Sequence, residues 1–241
     1  MALYTLADLH LSLGSDKPMD VFGGAWDGYV DKLRQNLAVL RPEDTLVIPG
    51  DLSWGLDLEE ALPDLQFLDA LPGKKLLVKG NHDLWWGTVG RMRRFFAEHG
   101  IESIDFLHNN CHFYGDTALC GTRGWFFEED TGSAHDEKIM NREIGRLRTS
   151  LDAAKTAGAE RIYCFMHYPP IFGKYECPRI VEMLAEYGVA CCFYGHLHGA
   201  SHRRAFEGLY GGVEYRLVSA DYLDFAPLAV MNEKNSWHNE L

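Results

Sequence analysis

Five short clusters of carboxylate, amide and imidazole side chains lie between residues 8 and 198, each directly after an apolar, strand-like run. Asp8-Leu9-His10 follows Ala2 to Ala7, Gly50-Asp51 follows Thr45 to Pro49, and Gly80-Asn81-His82-Asp83 follows Leu76 to Lys79. His167 follows Arg161 to Met166, and Gly195-His196-Leu197-His198 follows Val189 to Tyr194. In Asp8-x-His10 and His196-x-His198 the polar residues are two apart, so an extended backbone puts both side chains on one face. That spacing suits two ligands near one metal or near two adjacent metals. Gly80-Asn81-His82-Asp83 adds a neutral oxygen, an imidazole and a carboxylate within one loop. Glycine before His196 permits a sharp turn as the chain leaves a strand. Singly, each cluster also suits an ordinary loop. Their common placement is what predicts a metal site, because the carboxyl ends of strands in an open α/β sheet share one rim.

The elements needed to carry the clusters are legible as an alternation of strand and helix patterns, the mark of an α/β layered fold. Strands are predicted at Leu3 to Ala7, Thr45 to Pro49, Lys75 to Lys79, Arg161 to Met166 and Val189 to Tyr194. Helices are predicted at Trp26 to Leu40, Leu58 to Leu71, Val89 to His99, Asp136 to Ala157 and Pro178 to Tyr187. In the fourth helix, Ile139, Met140, Ile144, Leu147, Leu151 and Ala154 form one stripe of period 3.6, and Gly158 offers a C-terminal cap. From Ser103 to Thr122 the pattern changes to short strands, with Asn109-Asn110 and Gly115-Asp116 as hairpin turn signals. A second β-rich stretch runs from Val213 to Met231. Strands in the middle and at the end predict a second sheet packed on the first. Without a linker of biased composition, residues 1–241 are expected to form one domain.

Composition narrows the partners. The 241 residues are 46% hydrophobic and 24% charged, with a formal net charge of -12, which suits a globular chain with an ample core. An acidic surface does not displace counterions from long nucleic acid, so a small substrate is expected instead. The amino-terminal residues lack a basic segment followed by a long apolar one, and no run approaches a membrane span. Six cysteines, at 111, 120, 164, 177, 191 and 192, lack Cys-x-x-Cys or framework spacing and are expected to be buried free thiols. A cytoplasmic protein is therefore expected. Nothing in the sequence reads out the oligomeric state.

The order Asp-x-His, Gly-Asp, Gly-Asn-His-Asp, His, Gly-His-x-His resembles that of the calcineurin-like metallophosphoesterase superfamily. The stretches from Gly50 to Trp54 and from Lys79 to Trp86 further resemble a bacterial subgroup of predicted phosphohydrolases. The resemblance implies a four-layer α/β/β/α sandwich of two mixed sheets, with a dinuclear metal site at the carboxyl ends of the strands. It implies that Asp8, His10 and His198 hold a first metal, that Asp51 bridges, and that Asn81, His167 and His196 complete a second. His82 resembles the catalytic histidine that contacts the phosphate and protonates the leaving oxygen, and Asp83 would orient its imidazole. Asn81 would also border the substrate. The protein-phosphatase branch has an acidic residue three positions after the bridging Asp, followed by Arg and Gly; here Trp54, Gly55 and Leu56 stand there, which removes the arginine suited to a phosphoprotein.

Such a site would work by familiar chemistry. Two divalent ions about 3.5 to 4 Å apart share a hydroxide, bringing the pKa of bound water from about 15.7 towards 7, and the hydroxide attacks phosphorus in line. Imidazoles, carboxylates and an amide oxygen without thiolate suit Mn best, with Fe or Zn as alternatives, over Mg or Ca. The expected substrate is a phosphodiester, a nucleotide or another small phosphorylated molecule. Trp54, Trp85, Trp86, Trp125, Phe126 and Phe127 form either a stacking wall for a flat group or the packing of the surrounding loops. Arg123, between Gly121 and Trp125, is the candidate grip on a substrate phosphate, with a structural arginine as the alternative. A contrasting reading is a non-catalytic metal-binding interaction module on the same fold, as in the retromer component that lacks the catalytic histidine. His82 and the full ligand set favour an enzyme.

Overall fold

The computed structural model describes residues 1–17, 19–126 and 133–231. The first part of the chain builds a parallel sheet from β1 (Leu3–Thr5), β2 (Thr45–Pro49), β3 (Lys74–Val78) and β4 (Ile104–Phe106). The chain then supplies β5 (His112–Tyr114), β6 (Thr117–Thr122), β7 (Arg161–Met166), a small hairpin of β8 (Ile171–Phe172) and β9 (Tyr175–Glu176), β10 (Cys191–Tyr194), β11 (Gly208–Tyr210) and β12 (Val213–Leu217). The second sheet has the order β11-β12-β10-β7-β6-β5, and β6, β7, β10 and β12 run parallel. The last strand, β13 (Leu228–Met231), returns to the first sheet and pairs antiparallel with β1. Both large sheets are therefore mixed.

Period-two alternation explains why the sheets stack. Leu46 and Ile48 on β2 point into a core shared with α1 (Tyr29–Asn36), α2 (Leu58–Asp69) and α3 (Val89–Glu98), whereas Val47 points into a core between the sheets. On β7, Ile162, Cys164 and Met166 face α4 (Ala134–Thr156) and α5 (Pro178–Glu186), while Tyr163 and Phe165 face the intersheet core. Strands apolar on both sides need cover on both sides. The result is the expected α/β/β/α sandwich, with helices on the two outer faces. The α4 stripe lies against β6 and β7, and the capping box of Ser133 and Asp136 starts it.

The predicted turns met different fates. Gly115-Asp116 links β5 to β6 as a hairpin, with Gly115 at φ 60°. Asn109-Asn110 does not: β4 belongs to the first sheet and β5 to the second, so this segment is the crossover between them. Asn109, at φ 58°, supplies the left-handed residue of a turn, and turn chemistry alone cannot tell which strands it joins. The helix predicted from Trp26 begins only at Tyr29, after a 3₁₀ turn at Gly24–Trp26. All six cysteines are free, and five are buried. Among the described residues, no helix is long and apolar enough to cross a membrane.

Candidate metal centre

Parallel pairing brings the ends of β1, β2 and β3 to one edge of the first sheet, and the ends of β7 and β10 to one edge of the second. The edges are tied together. Ala7 exchanges backbone hydrogen bonds with Val218 and Ala220 across the sheets, at 2.8 and 2.9 Å. Gly195 has little room for a side chain: a Cβ there would lie 2.5 Å from Asp8 Oδ2 and 2.7 Å from Ala7 Cβ. Close approach, rather than a sharp turn, is thus the reason for this glycine. The left-handed backbone falls on the candidate ligands themselves, at Asp8 (φ 59°), His10 (45°), Asp51 (52°) and His196 (73°). Each such non-glycine residue costs on the order of 1–3 kcal/mol and persists where the surroundings hold it.

All seven predicted ligands meet at this seam. Asp8, His10 and His198 offer ligand atoms within 4.8 Å of one another, and so do Asp8, Asp51 and His167. Asp51 Oδ2 is 3.7 Å from His10 Nε2 and 3.4 Å from His167 Nε2, so it reaches both groups. Asn81 Oδ1 lies 2.6 Å from His167 Nε2 and 2.9 Å from His196 Nδ1. The carbonyl oxygen of Pro49 lies 3.1 Å from His167 Nδ1 and can only accept, so that nitrogen carries the proton and Nε2 presents a lone pair to the Asn81 oxygen.

Several features of this donor set suit a bound cation. Asp8 and Asp51 are almost wholly buried, and Asp8 Oδ1 and His10 Nδ1 have no hydrogen-bond partner among the described residues. Burial pushes the Asp8 carboxyl up to about 8 and that of Asp51 up to about 6. Burial also drives the imidazoles of His167 and His196 down to about 3 and about 2. Buried carboxylates beside neutral, lone-pair-bearing imidazoles are costly alone and favourable around a cation. The donor set fits divalent metal.

Asp83 departs from its expected role. Its Oδ2 accepts from the N–H of Gly80 at 2.7 Å and of Asp51 at 3.0 Å. Its Oδ1 accepts from the N–H of Leu52 (2.9 Å) and Ser53 (3.3 Å) and from Trp85 Nε1 (3.0 Å). The carboxylate therefore holds two ligand loops together instead of orienting the His82 ring. That ring packs 4.3 Å from Trp54, and the His82 backbone N–H reaches Asp51 Oδ1 at 2.8 Å. Burial chiefly holds the His82 imidazole below its ordinary pKa.

Sequence reasoning missed Asp221. Its Oδ1 lies 2.9 Å from His198 Nδ1, and its Oδ2 accepts from the Gly199 N–H at 3.0 Å. Although burial opposes the charged ring, Asp221, Asp8 and Asp51 together raise His198 to about 9. The available signal was its place after β12, at the same edge as the other clusters. Trp26, whose ring lies 5.8 Å from His10 and 5.7 Å from His198, was also missed.

The aromatic residues divide. Trp85 and Trp86 are buried in the core of the first sheet, and Trp125 packs on Tyr168. Trp54 stacks on His10 at 5.0 Å, and Phe126 lies 5.4 Å from His196. Phe127 and the two acids after it lie outside the described residues. Arg123 is near the site but engaged: its Nη2 is 3.6 Å from Glu143 Oε1 and its guanidinium lies over Trp125. Glu143, fully buried on α4, also takes Arg146 at 2.7 Å and the Thr122 hydroxyl at 2.8 Å. Beyond burial, the charges of Arg123 and Arg146 lower the pKa of Lys79. Arg123, Arg142 and Arg146 thus all lie within 4.0 Å of the one Glu143 carboxylate.

Residues 1–200 match the family described as calcineurin-like phosphoesterase. No curated protein matches the chain. Among solved structures, the fold is similar to that of a phosphopantetheinyl hydrolase (PptH) from Mycobacterium tuberculosis, at 14% identity and TM-score 0.57, covering 97% of this chain and 96% of that one. It is also similar to the TT1561 protein of Thermus thermophilus, at 10% identity and TM-score 0.52 over 81% of each chain. A protein of unknown function from Aquifex aeolicus, AQ665, aligns at 18% identity and TM-score 0.49 over 95% of each chain.

Proposed function

The chain belongs to the calcineurin-like phosphoesterase family, and from that premise we propose that it is a dinuclear metal-dependent phosphohydrolase acting on a phosphodiester or a small phosphorylated molecule. The observation that carries the reading is the meeting of Asp8, His10, Asp51, Asn81, His167, His196 and His198 at one seam, with Asp51 Oδ2 within 3.7 Å of imidazole nitrogens from both groups. Asp8, His10 and His198 would hold one ion, Asn81, His167 and His196 the other, and Asp51 would serve both. Manganese suits the mixed set best, with iron or zinc as alternatives. When bound, two such ions supply paired Lewis acids that neutralise phosphoryl charge and acidify water.

The protein's own groups do the rest. His82 is half-buried beside the ligands, and its ring, once protonated, would donate to a leaving oxygen. Asp221 fixes the His198 tautomer by taking its Nδ1–H, which leaves Nε2 for the metal. Asp83 sets the spacing of the loops bearing Asp51 and Asn81. Asn81 and His82 border the substrate, and Arg123 contacts its non-reacting anionic part, supported by the excess of cations around Glu143. Trp54, where the protein-phosphatase branch has an acidic residue, argues for a small substrate over a phosphoprotein. Residues 1–241 are taken as one domain, supported by the return of β13 to β1.

Rigorous chelation should abolish turnover of a generic aryl phosphodiester, and Mn²⁺ should restore it better than Ca²⁺. Full activity in metal-free protein would refute the proposal. Metal retention without turnover of any phosphoester would identify a non-catalytic module instead.

A further inference from the structure

A cavity of about 430 Å³ opens beside His82, within the size range of sites that enclose small molecules. Met19, Phe22, Ala25, Trp26 and Trp54 form its apolar walls, and His10, His82, His198 and Asp221 line the side towards the candidate metal centre. Charge neutralisation at phosphorus needs none of the apolar walls. Trp26 is buried with its ring in T-shaped contact with two candidate ligands, and Trp54 lies 4.3 Å from the His82 ring. The aromatic walls are therefore continuous with the imidazole that would protonate the leaving oxygen.

Phe22 makes the cavity more than packing space. It ends the 3₁₀ turn Met19–Phe22, in which Met19 alone is buried, and the Trp54 indole N–H points at Met19 Sδ at 3.0 Å. The turn is thus anchored at one end and presents Phe22 at the cavity, 62% exposed and without a ring partner among the described residues. Val21 beside it is 72% exposed. Together Val21 and Phe22 form an exposed apolar patch at the mouth of an aromatic cavity, the kind of surface that ligand-binding grooves present. Lys17, with Nζ 4.0 Å from the Trp54 centroid, places a positive charge nearby, which suits an anionic ester.

We propose, resting on the phosphohydrolase reading above, that this cavity receives a planar aromatic ring carried on the leaving oxygen of the substrate. Aromatic walls favour such a ring over an alkyl group of similar area, because edge-to-face and offset contacts add to apolar burial. The retained side of the phosphoester need not be aromatic.

The test compares two leaving groups of matched acidity, a phenol and a fluorinated alkyl alcohol, each as monoester and as methyl diester, with Mn²⁺-loaded protein. Wild type should favour the phenyl ester by roughly tenfold or more in kcat/KM. Phe22→Ser, which removes the exposed ring, and Ala25→Trp, which fills the cavity from an exposed position, should each bring that preference to within about threefold by lowering kcat/KM for the phenyl ester more than for the fluoroalkyl ester. Calorimetry gives a second readout: phenylphosphonate should bind more tightly than methylphosphonate to wild type, and equally to Ala25→Trp. Equal kcat/KM for both esters in wild type, or a preference that survives both variants, would overturn the pocket assignment and leave the phosphohydrolase standing. Failure to hydrolyse any of the four esters would overturn both.

Discussion

Asp83→Asn changes a single heavy atom, yet it should cost the protein much of its stability. The carboxylate of Asp83 is fully buried and takes five N–H donors, three on Oδ1 and two on Oδ2. An asparagine can keep its oxygen in only one place. With the oxygen at Oδ1, the new NH₂ faces the N–H groups of Asp51 and Gly80, donor against donor. Two buried donors left unsatisfied cost about 1–3 kcal/mol each, so the variant should lose about 2–6 kcal/mol. For a chain of this size that corresponds to a fall of roughly 4–24 °C in Tm. The lost bonds hold the residue bearing one ligand carboxylate and the glycine before Asn81, so metal affinity should fall with stability. The assay is denaturant unfolding of metal-free protein at pH 8, paired with Mn²⁺ titration calorimetry. If Asp83→Asn unfolded within about 0.5 kcal/mol of wild type and bound Mn²⁺ as tightly, the clamp would be refuted.

The other expectations concern the site directly. His82→Ala should keep its bound metal and lose at least about tenfold in kcat, whereas Asp51→Asn should lose metal occupancy; equal metal content and activity in the two would contradict the division of roles. Arg123→Ala should lower kcat/KM by roughly 10- to 100-fold on larger phosphorylated substrates without changing metal content, and unchanged kinetics throughout would make it structural. Metal-free protein should lose stability as pH rises from about 7.5 to about 8.5. Asp8, raised to about 8, Asp83, raised to about 7, and His198, raised to about 9, bind more protons folded than unfolded there and outweigh Lys75, which burial lowers to about 8, while His167 and His196 are neutral in the folded state and largely neutral in the unfolded one. Saturating Mn²⁺ should remove this fall, since the ligands bind metal deprotonated; a rise in metal-free stability across the window, measured by denaturation, would contradict the assignment.

Much of this arrangement is legible in the sequence because strand ends and ligands coincide along the chain. The apolar runs that become β2 and β7, and the loop glycines before Asp51, Asn81 and His196, already locate the seam in the sequence. Asp221 escaped notice because its strand, β12, is followed by no histidine or glycine cluster, and its partner His198 is 23 residues away. Asp83 was misassigned because a carboxylate next to an imidazole in sequence points elsewhere once the loop turns. The crossover at Asn109-Asn110 could not be told from a hairpin, since left-handed turn residues serve both. Trp26 looked like the start of a helix, and only the 3₁₀ turn before Tyr29 brings its ring beside the candidate ligands His10 and His198.

The most direct measurement is the number and position of metal ions bound by the intact protein, by elemental analysis of Mn²⁺-loaded protein together with anomalous scattering from its crystals. The expected result is two ions per chain, one among Asp8, His10 and His198 and one among Asn81, His167 and His196, with Asp51 between them. A single ion, or ions bound away from these residues, would contradict the dinuclear centre.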